Sequence, residues 1–179
     1  RTLAECVRDH VLVTVPTADR PSYDQFLRNK EFPAMLRQAE VDLGSRKALI
    51  AAVKSALRPT GIPPARPVYE YLAKWPFACY LTTNFDDEIC RALARQRHHF
   101  QVRHNSATDL SLLRDGVSNL VVKIHSDLDH PNDAVLTSAD YDRILSAPAG
   151  DHIQQKLRQV FEMFDVFIIG HSMSDPDLQ

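Results

Sequence analysis

Apolar positions in the first third of the chain recur at helical spacing. Leu49, Ile50, Val53, Ala56 and Leu57 share one helix face behind Ser45 as N-cap, and Ser22 is the expected N-cap of a helix over Tyr23 to Asn29. The first 75 residues therefore read as mainly helical. From Arg58 to Pro67 the chain carries Pro59, Pro63, Pro64, Pro67 and Gly61, which predicts a stiff connector into Val68 to Lys74. Beyond Trp75 the pattern changes to short apolar runs separated by helical stretches. Strands are predicted at Phe77 to Leu81, Phe100 to Val102, Leu120 to Ile124, Val135-Leu136 and Val166 to Ile169, the last ended by Gly170. Helices are predicted over Asp86 to Gln96 and Asp151 to Phe164. Continuous β-branched and aromatic runs alternating with helices predict an α/β fold: a Rossmann-like parallel sheet with flanking helices and an N-terminal helical module. One domain over residues 1–179 is expected, divided into a helical module and connector (1–67) and an α/β core (68–179).

Composition narrows the class. With 179 residues, 44% apolar and 25% charged, the chain has the makeup of a globular domain, and no stretch reaches the roughly 18 apolar residues of a membrane span. A net charge of −2 without a long basic block gives no footprint for nucleic-acid binding. Cys6, Cys79 and Cys90 form no C-x-x-C pair, which predicts neither a disulfide framework nor a structural zinc site and suits a reducing, cytoplasmic setting. No secretory leader pattern opens the sequence, and the start at Arg1 is read as that of a fragment.

In an open parallel sheet, ligands bind outside the carboxyl ends of the strands. Three predicted strands end in polar tips: Thr82, Thr83, Asn84 and Asp86 after Leu81; His125, Ser126 and Asp127 after Ile124; and Gly170, His171, Ser172, Ser174 and Asp175 after Ile169. Each tip also has a plain structural reading. Asn84 suits an N-cap, with Asp86 and Asp87 at the positive end of the following helix dipole. His125 suits a hydrogen-bonded strand-end histidine, and the third tip suits a turn leading into a Pro-initiated helix.

Taken together, TTNFD (82–86), KIHSD (123–127), LTSADY (136–141) and FIIGHSMSDPDL (167–178) resemble the ordered motifs of sirtuin-like domains, in particular the bacterial branch linked to NAD-depleting anti-phage defence. The resemblance runs from about Val68 to the end. It implies that Thr82, Thr83, Asn84 and Asp86 line the nicotinamide-ribose pocket, with Asn84 orienting ribose hydroxyls and Asp86 near the carboxamide. It also implies that His125 is the catalytic histidine, that Gly170 and Ser172 bind the cofactor near the adenosine ribose, and that Asp175, in a stretch typical of the defence branch, is a further cofactor-binding residue. The implied reaction is hydrolysis of NAD+ to nicotinamide and ADP-ribose. NAD+ is then the substrate, no metal is expected, and the expected partners are a fused or separate sensor and further copies of the chain.

The sequence departs from the family pattern in three places. No Gly-rich phosphate loop precedes these motifs, since Gly44 and Gly61 stand alone, and the first strand with its loop is expected to lie outside the fragment. Ser126 stands where the family usually has Gly. Three scattered cysteines cannot supply the zinc ribbon of protein-deacylating sirtuins, which favours NAD+ hydrolysis over deacylation.

Two other readings stay open on the residues. The run His125-Ser126-Asp127-Leu128-Asp129-His130 has the H-x-D-x-D-H pattern of a metal-dependent hydrolase, with His152 or His171 as distant ligands, and His98, His99 and His104 form a weaker metal set. A sirtuin-like module that binds NAD or ADP-ribose without turnover is the non-enzyme alternative.

Overall fold

The computed structural model describes residues 3–57, 67–96, 99–105, 120–146 and 153–169. Its contacts divide into two compact units, Arg1–Pro64 with Leu128–Asp142, and Ala65–Asp127 with Arg143–Gln179.

The first unit contains helices α1 (Leu3–Thr14), α2 (Arg20–Asn29), α3 (Phe32–Asp42) and α4 (Arg46–Leu57). Helix α1 packs on α3 and α4 through a core that includes Val7, Val11, Met35, Ala39, Leu49 and Val53. Ser45 caps α4 as predicted, its Oγ accepting the Ala48 N–H at 3.2 Å. Ser22 does not cap α2. That helix begins three residues earlier, at Arg20 behind Asp19, with a proline in its first turn, and the Ser22 hydroxyl donates to the Asp19 carboxylate instead. Proline is suited to this position because first-turn N–H groups have no helical acceptor. Gly44, at φ +75°, ends α3 in the left-handed region, so the glycine closes a helix. Tyr23 is fully buried, and its hydroxyl donates to Asp42 Oδ2 at 2.7 Å. Burial, with that hydrogen bond, pushes the phenol well above its ordinary pKa.

Val135 and Leu136 are buried as expected but form no strand. They lead into helix α7 (Ser138–Leu145) through a capping box. Asp140 Oδ2 accepts the N–H groups of Leu136 at 3.0 Å and Thr137 at 2.8 Å, while Thr137 Oγ1 accepts the Asp140 N–H at 3.3 Å. The backbone donor a strand ladder would use at Leu136 is thus spent on a helix start.

In the second unit, α5 (Pro67–Leu72) precedes β1 (Cys79–Thr82), α6 (Glu88–Arg95), β2 (Gln101–His104), β3 (Leu120–Lys123) and, after α7, α8 (Ile153–Met163). Pro67 opens α5; the rest of the predicted connector lies outside the described residues. The three strands form a parallel sheet of order β1-β3-β2. Alternate side chains of β3 bury on opposite faces. Leu120, Val122 and Ile124 pack with Leu157 and Val160 of α8, whereas Val121 packs with Ala73 and with Ile89, Ala92 and Leu93 of α6. A central strand covered on both faces explains its continuous apolar run and confirms the α/β class.

Val166 to Ile169 is not a fourth strand among the described residues. The segment is exposed and faces β1 across a cavity of about 270 Å³. Aromatic packing holds it there: Phe167 lies 6.4 Å from Trp75 and 6.0 Å from Phe77, centroid to centroid. Side chains, rather than a backbone ladder, make the connection.

Candidate functional site

Parallel register brings the strand ends level, with Thr82 and His104 both opposite Lys123. The ladder continues one step past β3, where the Ile124 N–H donates to Thr82 O at 2.8 Å. The segments 82–87 and 123–127 therefore leave adjacent strands at the same edge, where an open parallel sheet presents its ligand site.

At the β1 tip, Thr82, Thr83 and Asp86 are half-buried and Asn84 is exposed. Thr82 Oγ1 accepts the Asn84 N–H at 3.1 Å, folding the chain back over the strand end. Asn84 is not the N-cap of α6. Its Nδ2 donates to Tyr69 Oη at 3.0 Å, and Asp87 occupies the cap position without a side-chain cap bond. The first turn is instead held by Asp86, whose Oδ1 accepts the Glu88 N–H at 3.0 Å in an Asx turn. Shifting the helix start to Glu88 frees Asn84 from capping and leaves its amide to a side-chain partner.

At the β3 tip, His125 is 4% exposed, and the Phe85 ring lies 6.2 Å from it at an interplanar angle of 36°. Ser126 is completely buried at φ +59°, and its N–H donates to Lys123 O at 2.9 Å in a tight turn. A side chain in the left-handed region costs about 1 kcal/mol relative to glycine. Ser126 Oγ has no hydrogen-bond partner among the described residues, which adds about 1–3 kcal/mol for a buried hydroxyl.

Lys123 was not singled out as a site residue by sequence reasoning, although a charge inside Leu120-Val121-Val122-Lys123-Ile124 was a visible signal. It is 2% exposed, and its Nζ reaches Asp87 Oδ1 at 2.6 Å, Phe85 O at 3.5 Å and Asp127 Oδ2 at 3.9 Å. One buried ammonium thereby ties the β1 loop to the β3 loop. Its position on the Val121 face of β3, toward α6, follows from strand alternation. Tyr69, the partner of Asn84, was also missed, and nothing in its helical context marked it.

His104 ends β2 rather than entering it. Its Nδ1 stands 3.7 Å from Asp127 Oδ2, which adds a third strand end to the same edge. Of the metal pattern, Asp129 pairs with Lys54 at 2.5 Å, and residues 125–127 fall in a different compact unit from residues 128–130. His98, His152, Gly170, His171, Ser172, Ser174 and Asp175 lie outside the described residues.

The cavity beside β1 has Thr82 and Asn84 at its polar end and Leu81, Phe77 and Phe164 among its apolar walls. The thiols do not offer nucleophiles here: burial pushes Cys79 up to about 12 and also raises Cys90. No described helix is long and apolar enough to cross a membrane.

Comparison with known proteins places this edge in context. Residues 78–179 match the family profile described as a SIR2-like domain. The NAD(+) hydrolase ThsA of Bacillus cereus (strain MSX-D12) is 29% identical over 119 residues, covering 62% of this chain and 22% of that protein. The NAD(+) hydrolase ThsA of Acinetobacter baumannii (strain 532279) is 29% identical over 137 residues, covering 73% and 25% respectively. The chain thus spans about a quarter of the length of these curated relatives.

Proposed function

Because the chain belongs to the SIR2-like domain family, we propose that it hydrolyses NAD+, as the names of its relatives say of them, that the bond cleaved is the one between nicotinamide and ribose, and that it serves NAD+ depletion in prokaryotic defence. The observation that carries this reading is the level placement of the Thr82–Asp86 and Lys123–Ser126 tips at the carboxyl edge of adjacent parallel strands.

The bond from ribose C1′ to the nicotinamide nitrogen breaks with its electron pair going to the ring. A cationic leaving group becomes neutral without an acid, while positive charge develops on the ribose as in glycoside hydrolysis. Water then adds to C1′ and releases one proton. Asn84, which with Thr82 lines the cavity beside β1, orients ribose hydroxyls, and Thr83 and Asp86 are assigned to the same pocket by family resemblance. His125 accepts a proton from a ribose hydroxyl or from the attacking water. Substrate entry displaces the Phe85 ring, which is tilted against the imidazole at 6.2 Å between centroids. Gly170 and Ser172 are assigned to the adenosine end, and Asp175 to cofactor binding, by family resemblance. A fused or separate sensor and self-association are the partners this reading expects.

The test is nicotinamide release from NAD+ by the purified protein, compared with Asn84→Ala and His125→Ala, each with and without chelator. Loss in both variants, with chelator having no effect, supports the hydrolase. NAD+-induced thermal stabilisation without product supports the binding module instead, for which the covered state of His125 is the favouring observation. Activity that requires added metal overturns the reading in favour of the H-x-D-x-D-H alternative.

A further inference from the structure

We propose that Ser126 is a substrate-contacting residue whose hydroxyl binds one hydroxyl of the ribose diol while His125 meets the other. This rests on the NAD+ hydrolase reading. Two unfavourable features coincide at this single position. The residue holds φ +59°, a conformation that favours glycine, and its hydroxyl is fully buried without a hydrogen-bond partner among the described residues. Glycine would remove both at once. Backbone outliers and orphaned buried polar groups of this kind concentrate where a ligand completes the structure.

The turn bond from Ser126 N–H to Lys123 O at 2.9 Å fixes the backbone, and the residue's complete burial keeps its hydroxyl from solvent. A serine hydroxyl offers one donor and two acceptor sites, which matches another hydroxyl. The Lys123 ammonium, three residues earlier on the same strand end, is already bound to Asp87 at 2.6 Å, which leaves it less suited to a phosphate. Adjacent residues on one strand end, an imidazole and a hydroxyl, suit the two neighbouring oxygens of a ribose.

The experiment compares wild type, Ser126→Ala and Ser126→Gly for thermal stability without ligand and for KM and kcat with NAD+. NAD+ analogues lacking the 2′- or the 3′-hydroxyl of the nicotinamide ribose complete the set. Both variants are expected to melt at or above the wild-type temperature and to raise KM about five- to tenfold, the size of one net hydrogen bond. One analogue should bind more weakly than NAD+ to wild type yet lose nothing further in Ser126→Ala, a coupling that a merely structural residue does not produce. Unchanged KM in both variants, or the same analogue penalty with and without the hydroxyl, overturns the assignment even if NAD+ is cleaved normally. Wild type that neither cleaves NAD+ nor is stabilised by it overturns the underlying reading, and the Ser126 assignment with it.

Discussion

The tips of β1 and β3 stand side by side, with Thr82 opposite Lys123, yet they are built in opposite ways. The β1 tip is open. Asn84 is exposed and held by a hydroxyl of α5, and the loop is braced by short-range bonds from Thr82 and Asp86. At the β3 tip, Lys123, His125 and Ser126 are all buried, and one ammonium carries the link to its neighbour. On the proposed reading, a ligand meets Asn84 of the first tip directly from solvent, whereas the side chains of the second must first be uncovered. A recognition surface tolerates solvent; a proton acceptor gains from its exclusion, since water-free surroundings strengthen every polar contact.

The largest expected effect lies at the buried tip. His125→Ala should lower the NAD+ turnover rate by about 10²–10⁴-fold, the range for loss of a general base. A folded protein by circular dichroism and an unchanged melting curve would locate that loss in chemistry. Full activity in this variant would remove the functional half of the contrast between the tips.

Next comes the ion pair that joins them, whose two members differ in exposure: 2% for the Lys123 side chain and 67% for Asp87. Asp87→Ala leaves the buried ammonium with, among the described residues, a carbonyl at 3.5 Å and a carboxylate at 3.9 Å, and is expected to cost about 3 kcal/mol in urea unfolding. Lys123→Met leaves a carboxylate that water can solvate and should cost about 1 kcal/mol. Equal costs would mean that the ammonium is not buried in solution.

The reason these tips were only partly legible in the sequence is physical. The apolar runs of β1 and β3 declare themselves because both faces of a parallel strand are covered, and the polar residues that follow them mark the site edge. Val135-Leu136 carries the same local signal, but the Thr137–Asp140 capping box takes up its backbone donor. Val166 to Ile169 has strand composition without a ladder, because Phe167 is engaged by Trp75 and Phe77. Burial of apolar side chains is readable one segment at a time; the partner of a backbone N–H is not. The same limit hid the Asn84–Tyr69 bond and the left-handed turn at Ser126, both set by tertiary geometry.

That capping box supplies a contrasting acid group in the other compact unit. Burial alone would raise the Asp140 carboxyl, but the N–H groups of Thr137 and Leu136, together with Arg46 at 2.8 Å, hold it below its ordinary value. A depressed folded-state pKa contributes stability that is complete above the unfolded value of about 3.9 and is lost as pH falls through the lower folded value. Asp140→Asn should therefore cost about 1–2 kcal/mol at pH 7 and flatten the fall in stability below about pH 4. A variant whose stability falls with acid as steeply as wild type would show that other carboxylates carry the transition.

The smallest expected effect tests the open tip. Tyr69→Phe removes the acceptor of the Asn84 amide at 3.0 Å. Because that bond is exposed, water replaces it on the free protein, and stability should move by less than about 0.5 kcal/mol. The remaining consequence is orientational: an untethered Asn84 samples more rotamers before it meets the ribose, so KM should rise about two- to threefold while kcat stays within error. A fall in kcat instead would mean that Asn84 acts in the chemical step along with His125, and the division between an open recognition tip and a buried chemical tip would give way to a single cooperative unit.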